Sequence, residues 1–345
     1  METYIFDDDE VGRQFSAALI AAHQRGVRVS LIRDSVGTLG KPNTFFQQLT
    51  DSGIAIVQFN PVNPPQAKAE WQVNLRDHRK LLIVDGRIVL LGGINISNVY
   101  SRSSLRLRDK ARTSKALPWR DTDLKIQGPV VNKFQRLFIQ TWAAQGGSEL
   151  VGADYFPALE QAGNEVVRAI GSSPQDPYSQ IYVTLIAALH RAQSEVWISN
   201  AYFVPDPQLL AALKQAATRG VDVRLLLPSS SDSWLVLHAG HAHYRELLQA
   251  GVSIYERRNA LLHVKTAVID GVWSTVGSTN LDWRSFLHNQ EVNAVVLGSD
   301  FGEQMRAAFI ADQAQATQIT LAHWQQRSWS MRIKEQFGQL WAYWL

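Results

Sequence analysis

The chain has 345 residues, 46% of them hydrophobic, a formal net charge of +3 and no cysteine. That length supports two globular domains with real cores, while so small a net charge gives no general case for a nucleic-acid partner. The absence of thiols excludes disulfides, cysteine zinc sites and thiol nucleophiles.

In chain order, ETYIFDDDEVG opens the sequence, and AALIAAHQRGVRVSLI (17–32) predicts an amphipathic helix, an Arg-Gly-Val turn and a strand. FFQQLTDSGIAIVQF (45–59) again reads helix, glycine turn, strand. DHRKLLIVDGRIVLLGGIN (77–95) predicts a β-hairpin, two β-branched apolar runs about an Asp-Gly turn. A basic stretch follows at 98–120, with Arg102, Arg106, Arg108, Lys110, Arg112, Lys115 and Arg120 against the single acid Asp109. Such a loop suits anionic lipid headgroups or another polyanion; the plainer alternative is a solvated surface loop. DTDLKIQG (121–128) predicts a strand and leads into a helix rich in Phe, Gln and Ala.

After a boundary region at 144–165, the same order returns, which puts one half at 1–150 and the other at 151–345. QIYVTLIAALHRAQSEVWIS (180–199) predicts a helix and a strand with no counterpart at the start of the chain, as if the first half lacked its opening helix. NAYFVPDPQLL parallels ETYIFDDDEVG, LAALKQAATRGVDVRLLL (210–227) parallels 17–32, and YRELLQAGVSIYE (244–256) parallels 45–59. LHVKTAVIDGVWSTVGSTN (262–280) repeats the hairpin, and EVNAVVLG (291–298) the strand after it. Repeated alternation of strands and helices implies an α/β fold of two similar halves, each a sheet with helices on its faces. The tail MRIKEQFGQLWAYWL (331–345) places Ile333, Phe337, Leu340, Trp341 and Trp344 at helical spacing. It reads either as an interfacial helix or as a terminal helix on the protein's own core. No run of about 18 apolar residues suggests a membrane span.

The two hairpins carry one pattern, His-x-Lys-x₄-Asp-x₆-Gly-x₂-Asn. The first copy is His78, Lys80, Asp85, Gly92 and Asn95; the second is His263, Lys265, Asp270, Gly277 and Asn280. A strand places residues i and i+2 on one face, so each copy is expected to present an imidazole beside a fixed positive charge. That pairing fits a phosphodiester, with lysine neutralising a phosphoryl oxygen and histidine handling bonds and protons. Two imidazoles suggest a nucleophile and a matching general acid. Asp85 and Asp270 are candidates for the catalytic set beside the histidines and lysines, but Asp-Gly is also what a hairpin turn requires. Asp121, 43 residues after His78, aligns with Glu291, 28 residues after His263, and the difference is the basic insertion.

The paired HxKxxxxDxxxxxxGxxN motifs resemble those of the phospholipase D superfamily. RDHRKLLIVDG, GGINIS, WRDTDLKIQGP, NAYFVPD, GSTNLDWRS, NQEVN and ITLAHWQQR extend the resemblance to bacterial cardiolipin synthases of the phospholipase D type, over nearly the whole chain. The resemblance implies two α/β/α sandwich halves about a pseudo-twofold axis, sharing one active site at their interface. It implies His78 as nucleophile and His263 as general acid, Lys80, Lys265, Asn95 and Asn280 on phosphate, and Asp121 and Glu291 orienting the histidines. It implies no cofactor and no metal, a lipid such as phosphatidylglycerol as substrate, and a peripheral place on an anionic bacterial inner membrane, on the cytoplasmic side. No nucleic-acid partner is expected, and the sequence is silent on oligomeric state. Two other readings stay open: a nuclease or other phosphodiesterase with the same chemistry, and a membrane-binding protein without catalysis.

Overall fold

The computed structural model describes residues 1–62, 74–101 and 117–344. The basic residues from Arg102 to Lys115 therefore lie outside the described residues. The first half runs β1 (Glu2–Thr3), α1 (Glu10–Gln24), β2 (Ser30–Asp34), α2 (Asn43–Asp51), β3 (Ala55–Phe59), β4 (Arg76–Asp77), β5 (Leu81–Val84), β6 (Ile88–Gly92), α3 (Asn98–Ser101), β7 (Trp119–Arg120), β8 (Asp123–Gln127) and α4 (Val131–Ala144). The second runs β9 (Val166–Ser172), α5 (Gln180–Arg191), β10 (Glu195–Asn200), α6 (Pro207–Thr218), β11 (Asp222–Pro228), α7 (Trp234–His241), α8 (Tyr244–Gln249), β12 (Ser253–Arg257), β13 (Leu261–Leu262), β14 (Lys265–Ile269), β15 (Trp273–Gly277), α9 (Trp283–Leu287), β16 (Asn289–Leu297), α10 (Ser299–Gln313), β17 (Ala316–Ile319), α11 (Leu321–Gln325) and α12 (Trp329–Leu340).

Two mixed sheets carry this order. The six-stranded one runs β3-β2-β1-β5-β6-β8, and the nine-stranded one runs β17-β12-β11-β10-β14-β15-β16-β4, with β9 also on β16. The shared motif is plain: parallel β3-β2-β1 mirrors β12-β11-β10, and each set continues into the antiparallel hairpin of its own half. The helices start where the sequence supplies caps: Asp9 accepts from the Gly12 amide, and Asp206 from the Leu209 amide with Pro207 in the first turn. Strand β9 was not anticipated from the sequence, and its seven residues pair along β16.

The halves are not merely adjacent. Val292 and Ala294 of β16 are buried in the first-half core beside Leu81, Val89, Leu91 and Phe134. Two short strands also cross over. First-half β4 pairs in parallel with second-half β16, and second-half β13 with first-half β7. The exchange is reciprocal, and each crossing strand ends one residue short of a motif histidine. That junction sets the site.

Candidate active site

The backbone at each histidine belongs to the opposite half. The His78 amide donates to the Gln290 carbonyl at 3.0 Å, and the His263 amide to the Arg120 carbonyl at 2.8 Å. The expectation that His and Lys ride one hairpin strand needs amendment here. In the first copy the strand begins only at Leu81, after both residues, and in the second it begins at Lys265. Each lysine instead folds back so that its ammonium donates to the carbonyl of its own histidine, Lys80 to His78 and Lys265 to His263.

Each imidazole is held by the acid of the other half. His78 Nδ1 lies 3.0 and 3.1 Å from the two Glu291 oxygens, and His263 Nδ1 lies 2.6 Å from Asp121 Oδ2. Both acid side chains are fully enclosed. A carboxylate on Nδ1 fixes the ring and leaves Nε2 as the reactive nitrogen. The two cradles differ by one methylene and in their neighbours. Glu291 also accepts from Ser278 Oγ at 2.5 Å and Asn289 Nδ2 at 3.3 Å. The position matching Ser278 in the first copy is Gly93, where a Cβ would fall 2.4 Å from either Asp121 oxygen. The shorter acid thus needs a glycine beneath it, and the longer acid gains a hydroxyl donor.

Burial and like charges set the electrostatics. Burial brings His78 down to about 4, with Glu291 opposing and Lys80 assisting. Burial, Lys265 and Lys80 hold His263 well below its ordinary value, and His78 adds to this. Burial also lowers Lys80 to about 7 and Lys265 to about 8, each partly restored by Glu291 and Asp121. Burial raises Asp121 to about 6. For Glu291 burial acts upward too, but His78, Lys80 and Ser278 together outweigh it and the carboxyl titrates below its usual range. The two histidines, two lysines and two acids thus feel one another as a single cluster.

The remaining motif residues divide. Asn95 is committed: its Oδ1 accepts from the Ile5 amide at 3.1 Å and its Nδ2 donates to the Tyr100 hydroxyl at 3.1 Å. Asn280 is equally buried, but its Oδ1 has no hydrogen-bond partner among the described residues. Asp85 and Asp270 are not drawn into this gathering. They sit at the hairpin turns with φ of 54° and 52°, each followed by a glycine also at positive φ, the backbone of a type I′ turn. Asp270 accepts from the Gln193, Ser194 and Glu195 amides and the Ser194 hydroxyl, tying the turn to the start of β10. Of the two roles open to these aspartates, their position at the turns supports the turn role.

Several residues at the site escaped sequence reasoning. Tyr4 sets its ring edge to His78 at 5.2 Å, and Tyr202 to His263 at 6.3 Å. These tyrosines occupy matching places in ETYIF and NAYFV, so the repeat itself carried the signal. Tyr100 places its hydroxyl 3.3 Å from His263 Nδ1, and Trp119 lies 4.9 Å from that ring. Both flank the insertion, which has no second copy to compare. Arg79 points away from the site, its guanidinium donating to the Glu291 and Ser172 carbonyls and to Thr141, and so clamps the halves together.

Among known proteins, the family model "Cardiolipin synthase, PLD-like domain" matches residues 1–107 and 185–313. The cardiolipin synthase of Geobacillus kaustophilus (strain HTA426) is 35% identical over 342 residues, covering 99% of this chain and 66% of that protein. Cardiolipin synthase 1 of Bacillus cereus (strain ATCC 14579) is 33% identical over 351 residues, with the same coverage of 99% and 66%. The chain thus spans slightly less than two thirds of the length of these relatives. In fold it is similar to the phosphatidylserine synthase of Haemophilus influenzae Rd KW20, with a TM-score of 0.73 and 13% identity, over 100% of this chain and 89% of that one. Polyphosphate kinase from Porphyromonas gingivalis gives a TM-score of 0.57 at 13% identity, over 93% of this chain and 44% of that one. At these identities the likeness is one of fold.

Proposed function

The chain belongs to the phospholipase D-like family of the cardiolipin synthases, and from that premise we propose that it is a phosphatidyltransferase that joins two phosphatidylglycerol molecules into cardiolipin. One observation carries the reading: two buried His–carboxylate pairs, each made across the halves, stand with two lysines in one electrostatic cluster. In-line displacement at phosphorus needs a base that attacks and an acid on the opposite side, and two half-sites related by a pseudo-twofold supply both.

His78 is the nucleophile in this proposal. It is neutral at physiological pH, and Glu291 on Nδ1 leaves Nε2 free to attack the phosphorus of the donor lipid. The P–O bond to glycerol breaks, the leaving oxygen takes a proton from His263, and a phosphatidyl-histidine forms. The second phosphatidylglycerol then gives the proton of its headgroup hydroxyl to His263 as its oxygen attacks phosphorus, and the bond to His78 breaks. Water in the acceptor's place gives phosphatidic acid. His263 must carry a proton for the first step, although burial and then the positive charge of the lysines hold its proton affinity down. An incoming phosphodiester offsets that positive charge, so substrate binding favours the acid form. Lys80 and Lys265 neutralise the non-bridging oxygens, and of the two asparagines Asn280 is assigned to phosphate through its Nδ2–H donor, since Asn95 Nδ2 is committed to Tyr100.

On this reading no metal ion takes part in the displacement, and activity survives excess chelator. The protein works peripherally at the anionic cytoplasmic face of the bacterial inner membrane; no helix of the described residues is long and apolar enough to cross it. The deciding test is incubation with phosphatidylglycerol vesicles, with lipid products and free glycerol measured and single-stranded DNA as the control substrate. Equimolar cardiolipin and glycerol are expected. DNA cleavage without lipid turnover would put a nuclease in place of this reading.

A further inference from the structure

The helix α12 is docked back to front. Along 331–342, Met331 packs against the second-half core, Glu335 and Gly338 are buried, and Ala342 joins Val204, Val236 and Ala239. These positions lie on one side of a 3.6-residue helix. The opposite side carries Trp329, Ile333, Phe337, Leu340, Trp341 and Trp344, all exposed, with Trp329 at 77% and Leu340 at 79%. A surface helix ordinarily buries its apolar stripe and shows its charges. Here the helix's one acid, Glu335, is turned inward onto Arg327 at 2.6 and 2.7 Å. Gly338 rests so close to α7 that a Cβ would lie 2.6 Å from the Ala239 amide nitrogen. The attachment is specific, and it displays apolar surface.

That surface has neighbours of its own kind. Trp234 of α7, half exposed, stacks on Phe337 with the rings at 6.0 Å and 13°. Tyr343 contacts Trp283 at 5.7 Å, three residues beyond Asn280. Ala342 shares its cluster with Tyr202, whose ring edge faces His263. The docked side of the helix therefore lies within one side chain of the site, and the apolar face continues from Trp344 through Tyr343 to Trp283 at the start of α9. The remaining charged side chains of α12 are Arg332 and Lys334, both basic.

Resting on the lipid substrate proposed above, we infer that the outer face of α12, extended by Trp234, is the surface on which the protein sits on an anionic bilayer. Indole and phenol rings favour the headgroup boundary, leucine and isoleucine enter the acyl region, and the two bases meet anionic headgroups. So seated, the site lies at the membrane plane and a lipid reaches His78 and His263 by lateral movement.

The double variant Ile333→Glu/Leu340→Glu tests this in the full chain, since both side chains project into solvent. Co-sedimentation with phosphatidylglycerol vesicles should fall at least about tenfold. Thermal midpoint and turnover of monomeric short-chain phosphatidylglycerol should be unchanged, and the conservative pair Ile333→Leu/Leu340→Phe should bind as the parent does. Vesicle binding undiminished in the glutamate variant would overturn the inference. So would loss of monomeric turnover or of the thermal midpoint along with binding, which would make the face part of the site or the fold. A parent dimer that the glutamates split, with vesicle binding intact, would assign the face to a second copy and overturn it too. Because vesicle binding is read without turnover, a failure of the catalytic proposal leaves this result standing.

Discussion

At the scale of single residues, the site is a set of ionisable groups whose proton affinities have been driven together. Kinetics should show it. His78, at about 4, is neutral through most of the accessible range, whereas Asp121, at about 6, gains its charge only as pH rises past that point. Lys80 and Lys265, at about 7 and 8, lose theirs as pH rises further. The free enzyme requires ionised Asp121 and charged lysines and must also take up the proton that His263 donates, so kcat/KM for a soluble lipid should be level below about pH 6, fall above it and fall more steeply beyond about pH 7–8. Asp121→Asn should extend the fall below about pH 6; a profile flat from pH 5 to 9 would contradict this assignment. Glu291→Gln keeps the shape of the cradle but cannot hold the His78 tautomer electrostatically, so kcat should fall by about 10²–10⁴-fold with KM little changed. A KM effect alone would make Glu291 a binding group. Sequence spacing singled out His78, Lys80, His263 and Lys265 directly, because only chemistry-bearing residues stood at repeated positions in otherwise interchangeable apolar runs. It was silent on Ser278 and Asn289, whose small polar side chains matter only through what they touch.

At the scale of elements, the hairpins were legible and the crossings were not. Apolar runs about Asp-Gly specify a two-residue turn locally, and both turns have the positive φ that this requires. The strands β4 and β13 have two residues each, too short for any periodicity, and their partners lie in the other half of the chain. The acid facing each histidine therefore depended on a pairing that no local pattern encodes. The orientation of α12 was open for a similar reason: the spacing shows that a stripe exists, but which side meets α7 is decided by Gly338 and the Glu335–Arg327 pair. The turn aspartates offer a test at this scale. Asp270→Ala strains a φ of 52° and leaves several amides at the start of β10 without their acceptor. It should lower stability by about 1–3 kcal/mol in urea titrations while folded protein keeps its kcat. Asp85 has φ of 54°, which asparagine also adopts, so Asp85→Asn should be close to neutral in both measurements. A kcat loss in either variant without loss of stability would return the aspartates to the chemistry.

At the scale of the whole molecule, duplication explains why one chain needs both copies. The repeat was legible from end to end, because helix-turn-strand units recur with their Gly turns in place, and it foretold two α/β halves. What it could not foretell is how far they merge: Val292 and Ala294 complete the first-half core, and Arg79, matched by Val264 in the second motif, clamps one half to the other. Neither half holds a finished site, since each histidine takes its acid from the other. The crossing strands and the shared core make that exchange internal to one chain. His78→Ala and His263→Ala should each be inactive, and mixing the two purified variants should restore nothing, because every chain still lacks one of its own imidazoles. Recovery toward a quarter or more of parent activity on mixing, or after joint refolding, would mean that halves pair between chains and that the working unit is an exchanged dimer. Sedimentation of the mixture alongside the assay distinguishes the cases: activity absent with folded protein supports the single-chain site, and activity present in a dimeric fraction refutes it.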